Sequence, residues 1–121
     1  MTELTPSDII KFVQKATILK HQVDELEKLL DTYGEERFRP DPWVVTELYN
    51  KILNDSRKLF VLDNVFVDAI SHLKEAKILT EGSSVDQWAE VRKLFPQLKI
   101  LKGTLDAFFE WLKHKEKKET T

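Results

Sequence analysis

Residues 5–34 read TPSDIIKFVQKATILKHQVDELEKLLDTYG, and the spacing of their apolar side chains decides the fold class. Ile9, Phe12, Ala16, Leu19, Val23, Leu26, Leu30 and Tyr33 recur at alternating intervals of three and four. That rhythm keeps one face of an α-helix apolar. Thr5 suits the N-cap, Pro6 the first helical position, and Asp8 the place of the reciprocal acid in a capping box. Gly34 supplies a stop. The stretch predicts a helix over about 6–33, roughly 42 Å long at 1.5 Å per residue.

The same rhythm continues outward. Residues 34–42 hold Gly34, Pro40 and Pro42 and read as a loop, with Asp41 capping a second helix. Val45, Leu48, Ile52, Asp55, Leu59, Leu62, Phe66, Ala69, Leu73 and Ala76 then follow with no glycine or proline between Trp43 and Glu81. Asp55 falls on that seam, and residues 59–62 are apolar on every face, so a break is expected around 56–63. Asp63 is placed to cap a third helix. Gly82 and Ser83 end that helix, and Ser84 with Gln87 forms a second capping box. A last seam runs Val91, Leu94, Leu98, Leu101, Leu105, Phe108, Leu112 and keeps its phase across Pro96. Preserved phase favours a kinked helix and the proline favours two helices; the reading adopted is two.

The fold expected is therefore an all-α, antiparallel helical bundle of four to five helices, at about 6–33, 42–56, 64–80, 85–95 and 97–114. Residues 113–121 form a charged tail expected to fray. Three glycines and four prolines in 121 residues are too few for a turn-rich β fold. A chain of this length fits one domain, 1–121.

The stripe over 9–33 also fits a two-stranded coiled coil, and its flanks decide between the two. Val13 and Leu29 widen the apolar face beyond a narrow seam. In a parallel pair Lys15 would face Lys20 of a second copy. A stave in a bundle is the better reading, with an antiparallel dimer as the alternative.

Composition limits the chemistry. The net charge is −2, without the basic excess typical of nucleic-acid binding. There is no cysteine, hence no thiolate nucleophile and no cysteine-ligated metal. Each histidine has a carboxylate one turn away, His21 with Glu25, His72 with Asp68 and His114 with Glu110. Helix-face ion pairing explains such pairs, and no Glu-x-x-His spacing of a di-iron bundle occurs. Ser7 and Ser84 stand at helix starts, and Gly34, Gly82 and Gly103 are too scattered to cradle a phosphate. No catalytic residue, metal site or cofactor is expected. No apolar run approaches the roughly 20 residues of a membrane span, the start of the chain lacks the pattern of a signal peptide, and a cytoplasmic protein is expected.

Two short stretches resemble known families. Residues 65–79, from Val65 to Leu79, resemble the recognition helix and exit of a winged-helix DNA-binding domain. That resemblance implies a two-stranded wing after Gly82, where a capped helix is read instead, and Asp68 and Glu75 dilute the positive charge such a helix needs. Leu101-Lys102-Gly103-Thr104 resembles the Leu-Lys-Gly-Ser core of histidine phosphotransfer domains. There a reactive histidine lies three residues before the lysine, and this chain has Lys99. Gly103 reads instead as a point of close helix approach or of relieved crowding.

The functional expectation is a non-catalytic protein–protein interaction or regulatory module acting through apolar helix faces, with self-association as one form. Trp43, Phe60, Val61, Phe66 and Trp111 are the candidate interface: Trp43, Phe60, Val61 and Trp111 lie off the seams, Phe66 adjoins the surplus apolar residues around 59–67, and aromatic anchors dominate interfaces. The alternative is a nucleic-acid-associated protein using 64–80 and the C-terminal lysines.

Overall fold

The computed structural model describes residues 4–31, 42–77 and 89–120. It is an all-α helical bundle, as the seams predict. Four helices are described: α1 (Pro6–Asp31), α2 (Pro42–Phe60), α3 (Asn64–Ala69) and α4 (Leu94–Thr120). Residues 89–92 add a helical turn before α4. The expected loop and caps at Gly34, Asp41, Gly82, Ser84 and Gln87 lie outside the described residues, as does Tyr33.

The start of α1 is closed by the expected box. Thr5 N–H donates to Asp8 Oδ2 at 3.3 Å, and Asp8 N–H donates to Thr5 Oγ1 at 3.1 Å. Ile9, Ala16, Leu19, Val23, Leu26 and Leu30 of the stripe are buried, and Phe12 is half-buried. Each fully buried side chain of this size contributes about 1.5–3 kcal/mol of transfer free energy, so the stripe supplies the spine of the core.

Direction follows from contacts. Lys20 pairs with Asp106, whereas Lys102 pairs with Asp24 and Glu27. Numbers rise on α1 as they fall on α4, so these helices are antiparallel. Tyr49 meets Gln97 and Phe60 meets Phe108, so numbers on α2 and α4 rise together. Thus α1 runs against both partners, and α2 and α4 run the same way. Such a pair requires the chain to return along the bundle between them.

That return explains where the expected elements shift. The second helix does not stop at 56; it continues to Phe60. The buried positions are Val45, Tyr49, Ile52, Ser56 and Leu59, flanked by Thr46, Leu53 and Phe60. This is a three-four rhythm in another phase, which moves Asp55 off the core; the break expected within 56–63 falls at 61–63. The third helix is short. Asp63 caps it with extended backbone (φ −152°, ψ 127°), its carboxylate accepting from Val65 N–H at 2.9 Å. It ends at Ala69, not near 80, and residues 73–77 form a non-helical strap.

The strap runs back along α2. Asn50 brackets Ala76, donating to its carbonyl at 2.7 Å and accepting from its N–H at 2.6 Å. Asn54 donates to Glu75 Oε1 at 2.6 Å, and Arg57 donates to the Leu73 carbonyl. Ile70 and Leu73 are buried. Side chains of α2 thus replace helical hydrogen bonds for a segment whose propensity alone favours helix.

The last helix begins at Leu94, so the break falls at Lys93 rather than at Pro96. Pro96 sits in the first turn, where the missing N–H would have no intrahelical partner anyway. All seven seam residues from Val91 to Leu112 are buried. The backbone stays helical to Thr120 instead of fraying from 113, and Lys115 lies 4.7 Å over the Trp111 ring. A Cβ added at exposed Gly103 would meet no atom within 4 Å, so this glycine does not mark a close helix approach.

Candidate functional site

The five residues expected at an interface do not form one surface. Phe60 is 0% exposed and Phe66 7%. Their rings lie 5.9 Å apart, each about 5 Å from Phe108, and Phe66 packs 5.5 Å from half-buried Trp111. These aromatics are the internal joint where α3 closes the cleft between α2 and α4. Such contacts at 4.5–7 Å are typical of ring packing. Phe60 and Phe66 are therefore core and are withdrawn from the interface. Trp43, at the start of α2, and Val61, in the turn after it, remain exposed.

The stretch 65–79 does not provide a continuous helix either. Only its first residues, to Ala69, are helical; a turn and the strap follow, and 78–79 lie outside the described residues. His21, His72 and His114 are exposed, and among the described residues no three metal-ligating side chains converge. No helix among the described residues is long and apolar enough to cross a membrane.

Among the described residues, an opening of about 440 Å³ lies between the strap and the start of α4, edged by Lys74, Glu75, Lys77, Glu90 and Lys93. An open groove of about 400 Å³ lies between α1 and α2. Phe12, Ile18, Leu19 and Leu59 supply its apolar lining, and Lys15, Lys51, Asp55 and Lys58 its charged rim. Ile18 is 57% exposed and Phe12 half-buried. Leu19 and Leu59 are buried, so the groove is a shallow continuation of the core rather than an isolated patch. Lys15 Nζ lies 5.8 Å from the Phe12 ring. Among the described residues no carboxylate stands within ion-pair distance of Lys15, Lys51 or Lys58.

The opposite flank of α1 uses the same residue types and leaves little open. Lys102 Nζ is 2.6 Å from Glu27 and 4.0 Å from Asp24. The hydrogen bond and charge of Glu27 hold the Lys102 ammonium above the usual lysine range. Lys20 pairs with Asp106 at 3.5 Å and lies 4.2 Å over the Phe109 ring.

The sequence reading missed this groove because no single helix contains it. Phe12 and Leu19 count as ordinary stripe residues. Ile18 lies just off the stripe and was the one available signal. The lysines come from two helices whose relative register the sequence does not state. Comparison of the chain with protein-family models, curated proteins and solved structures finds no match.

Proposed function

We propose that this chain is a non-catalytic protein-interaction module that receives an apolar helix of a partner in the α1/α2 groove. The observation that carries the reading is the open apolar floor of Phe12 and Ile18 above buried Leu19 and Leu59. Contiguous exposed apolar surface in a groove with a polar rim marks interaction sites more often than scattered single residues do.

The groove favours a different protein over a second copy. Two identical grooves facing across a two-fold axis would bring Lys15, Lys51 and Lys58 close to their own counterparts. Like charges so placed oppose association.

The test is selection of amphipathic helical peptides from a randomised library against the folded chain, followed by binding to an Ile18→Asp variant. The expected result is that selected peptides lose binding while the variant keeps its helical circular dichroism and melting temperature. Peptides that bind both proteins equally would remove the groove from the function.

A further inference from the structure

We infer that the helix this groove receives is acidic along the borders of its apolar stripe. The inference rests on the reading above and adds the chemistry of the partner.

Length comes first. From Phe12 to Gln22 the α1 wall extends about 15 Å at 1.5 Å per residue. A docked helix needs about 10.5 Å between its i and i+7 anchors. The wall therefore seats three anchors, at i, i+3 or i+4, and i+7, with somewhat less than one turn to spare. The half-open, two-helix shape suits a helix lying lengthwise.

Charge then selects among helices. Lys15, Lys51 and Lys58 rim the groove against a single acid, Asp55, in a chain whose overall charge is −2. The positive rim is thus a local concentration against the sign of the whole molecule. Long lysine stems can lie along apolar surface while their ammonium groups reach past it. Carboxylates flanking the apolar stripe of a docked helix would meet those groups on both walls, Lys15 on one and Lys51 and Lys58 on the other. The α1/α4 flank supplies the internal precedent, where Lys20 and Lys102 cross to Asp106, Asp24 and Glu27 of the facing helix. A basic helix would add repulsion, and a neutral one would leave three ammonium groups with Asp55 as the one carboxylate on the rim.

The experiment uses the full chain and a displayed library of helices with fixed apolar anchors and randomised flanking positions. Recovered sequences are expected to be enriched in Asp and Glu at the flanks. A synthetic consensus peptide should bind the Lys15→Glu/Lys51→Glu/Lys58→Glu variant about tenfold or more weakly, three surface pairs of ordinary strength being reversed. The same peptide with its flanking acids changed to lysine should regain binding to that variant. On the unaltered chain, the acidic peptide should outbind its neutral counterpart, and its advantage should shrink as salt rises; this arm does not depend on the triple variant folding. If selected peptides need Ile18 but show no acidic enrichment and no loss in the lysine variant, the acidic partner is wrong and the groove reading survives. If no selected peptide is sensitive to Ile18→Asp, the groove reading falls and this inference with it. A dimer in sedimentation that Ile18→Asp dissolves would make the occupant a second copy and overturn the proposal.

Discussion

Asn50, Asn54 and Arg57 stand one residue away from Lys51, Asp55 and Lys58, and the two rows have opposite environments. Neighbours in a helix point about 100° apart, so α2 carries two polar edges. On the first, the chain covers itself: the strap at 73–77 lies against the side chains, and Asn50, Asn54 and Arg57 each hydrogen-bond to it. On the second, the lysines border an open apolar groove and meet no carboxylate among the described residues. Polar groups at a helix edge thus become structural when the chain returns to them and are left for another molecule when it does not. The return is forced by topology, because α2 and α4 run in the same direction. Nothing in the described fold forces a segment across the other edge.

The largest break in this contrast should come at the corner between α2 and α3, which leads the chain into the strap. Phe60 ends α2, is fully buried, and packs on Phe66 and Phe108. Phe60→Ala should cost about 3–5 kcal/mol, as large-to-small core changes do, and lower the melting temperature by more than about 10 °C. Chemical denaturation measures it. A loss below about 1 kcal/mol would mean that the corner is held by something other than its aromatic joint.

Most of the bundle could be read from the residues alone. The Thr5–Asp8 box, the α1 stripe, the Asp63 cap and the α4 seam all follow from local pattern, and local pattern fixed their positions. The errors have one physical origin. Phase in α2 was ambiguous because Leu48 and Asp55 fit a three-four spacing as well as Tyr49 and Ser56 do; only packing against α1 and α4 selects the second set. The end of α3 had no glycine to mark it, and none was needed, since Ile70 stops the helix at φ −114°, ψ 10°. The strap was invisible because its hydrogen bonds come from Asn50, Asn54 and Arg57, far away in sequence. Part of the candidate interface, Phe60 and Phe66, proved to be core for the same reason. Phe60 and Trp111 looked unused only while the helices that pack against them were unplaced.

A second test separates the interior of α2 from its edges by pH. Tyr49 Oη donates to Gln97 Oε1 at 2.8 Å, and burial pushes the hydroxyl up to about 12, with the Arg57 charge pulling the other way. In the unfolded chain a tyrosine titrates near 10. The folded state therefore holds this proton more tightly. Its contribution is complete below pH about 10 and is lost as pH rises toward about 12, at most ~3 kcal/mol. Urea midpoints across this range should fall more steeply for the native chain than for Tyr49→Phe. Equal slopes would show that the hydroxyl is solvated.

Asn50 tests the covered edge itself. Asn50→Ala would leave both the N–H and the carbonyl of Ala76 without their partner. The site is only half-buried, so water can replace part of the loss, and the expected cost is about 2 kcal/mol. Amide exchange at Ala76 should speed up far more than exchange at Ile52, within α2. If the two respond alike, the strap is not a separable layer on α2 but part of one cooperative unit.

Ile18 should give the smallest effect on stability, and its size decides whether the open edge is truly open. The side chain is 57% exposed on the groove wall. Ile and Ser have similar helix propensities, so Ile18→Ser should change stability by no more than about 0.5 kcal/mol. The same substitution should sharply weaken binding of a helical partner, because it removes an apolar contact that only the complex buries. Near-zero stability with lost binding is the signature of a residue reserved for an outside molecule, the reverse of what Asn50 should show. A stability loss of about 2 kcal/mol would instead mean that α1 and α2 close over Ile18 in solution. The two edges of α2 would then differ only in what covers them, and the groove would lose its claim to a partner.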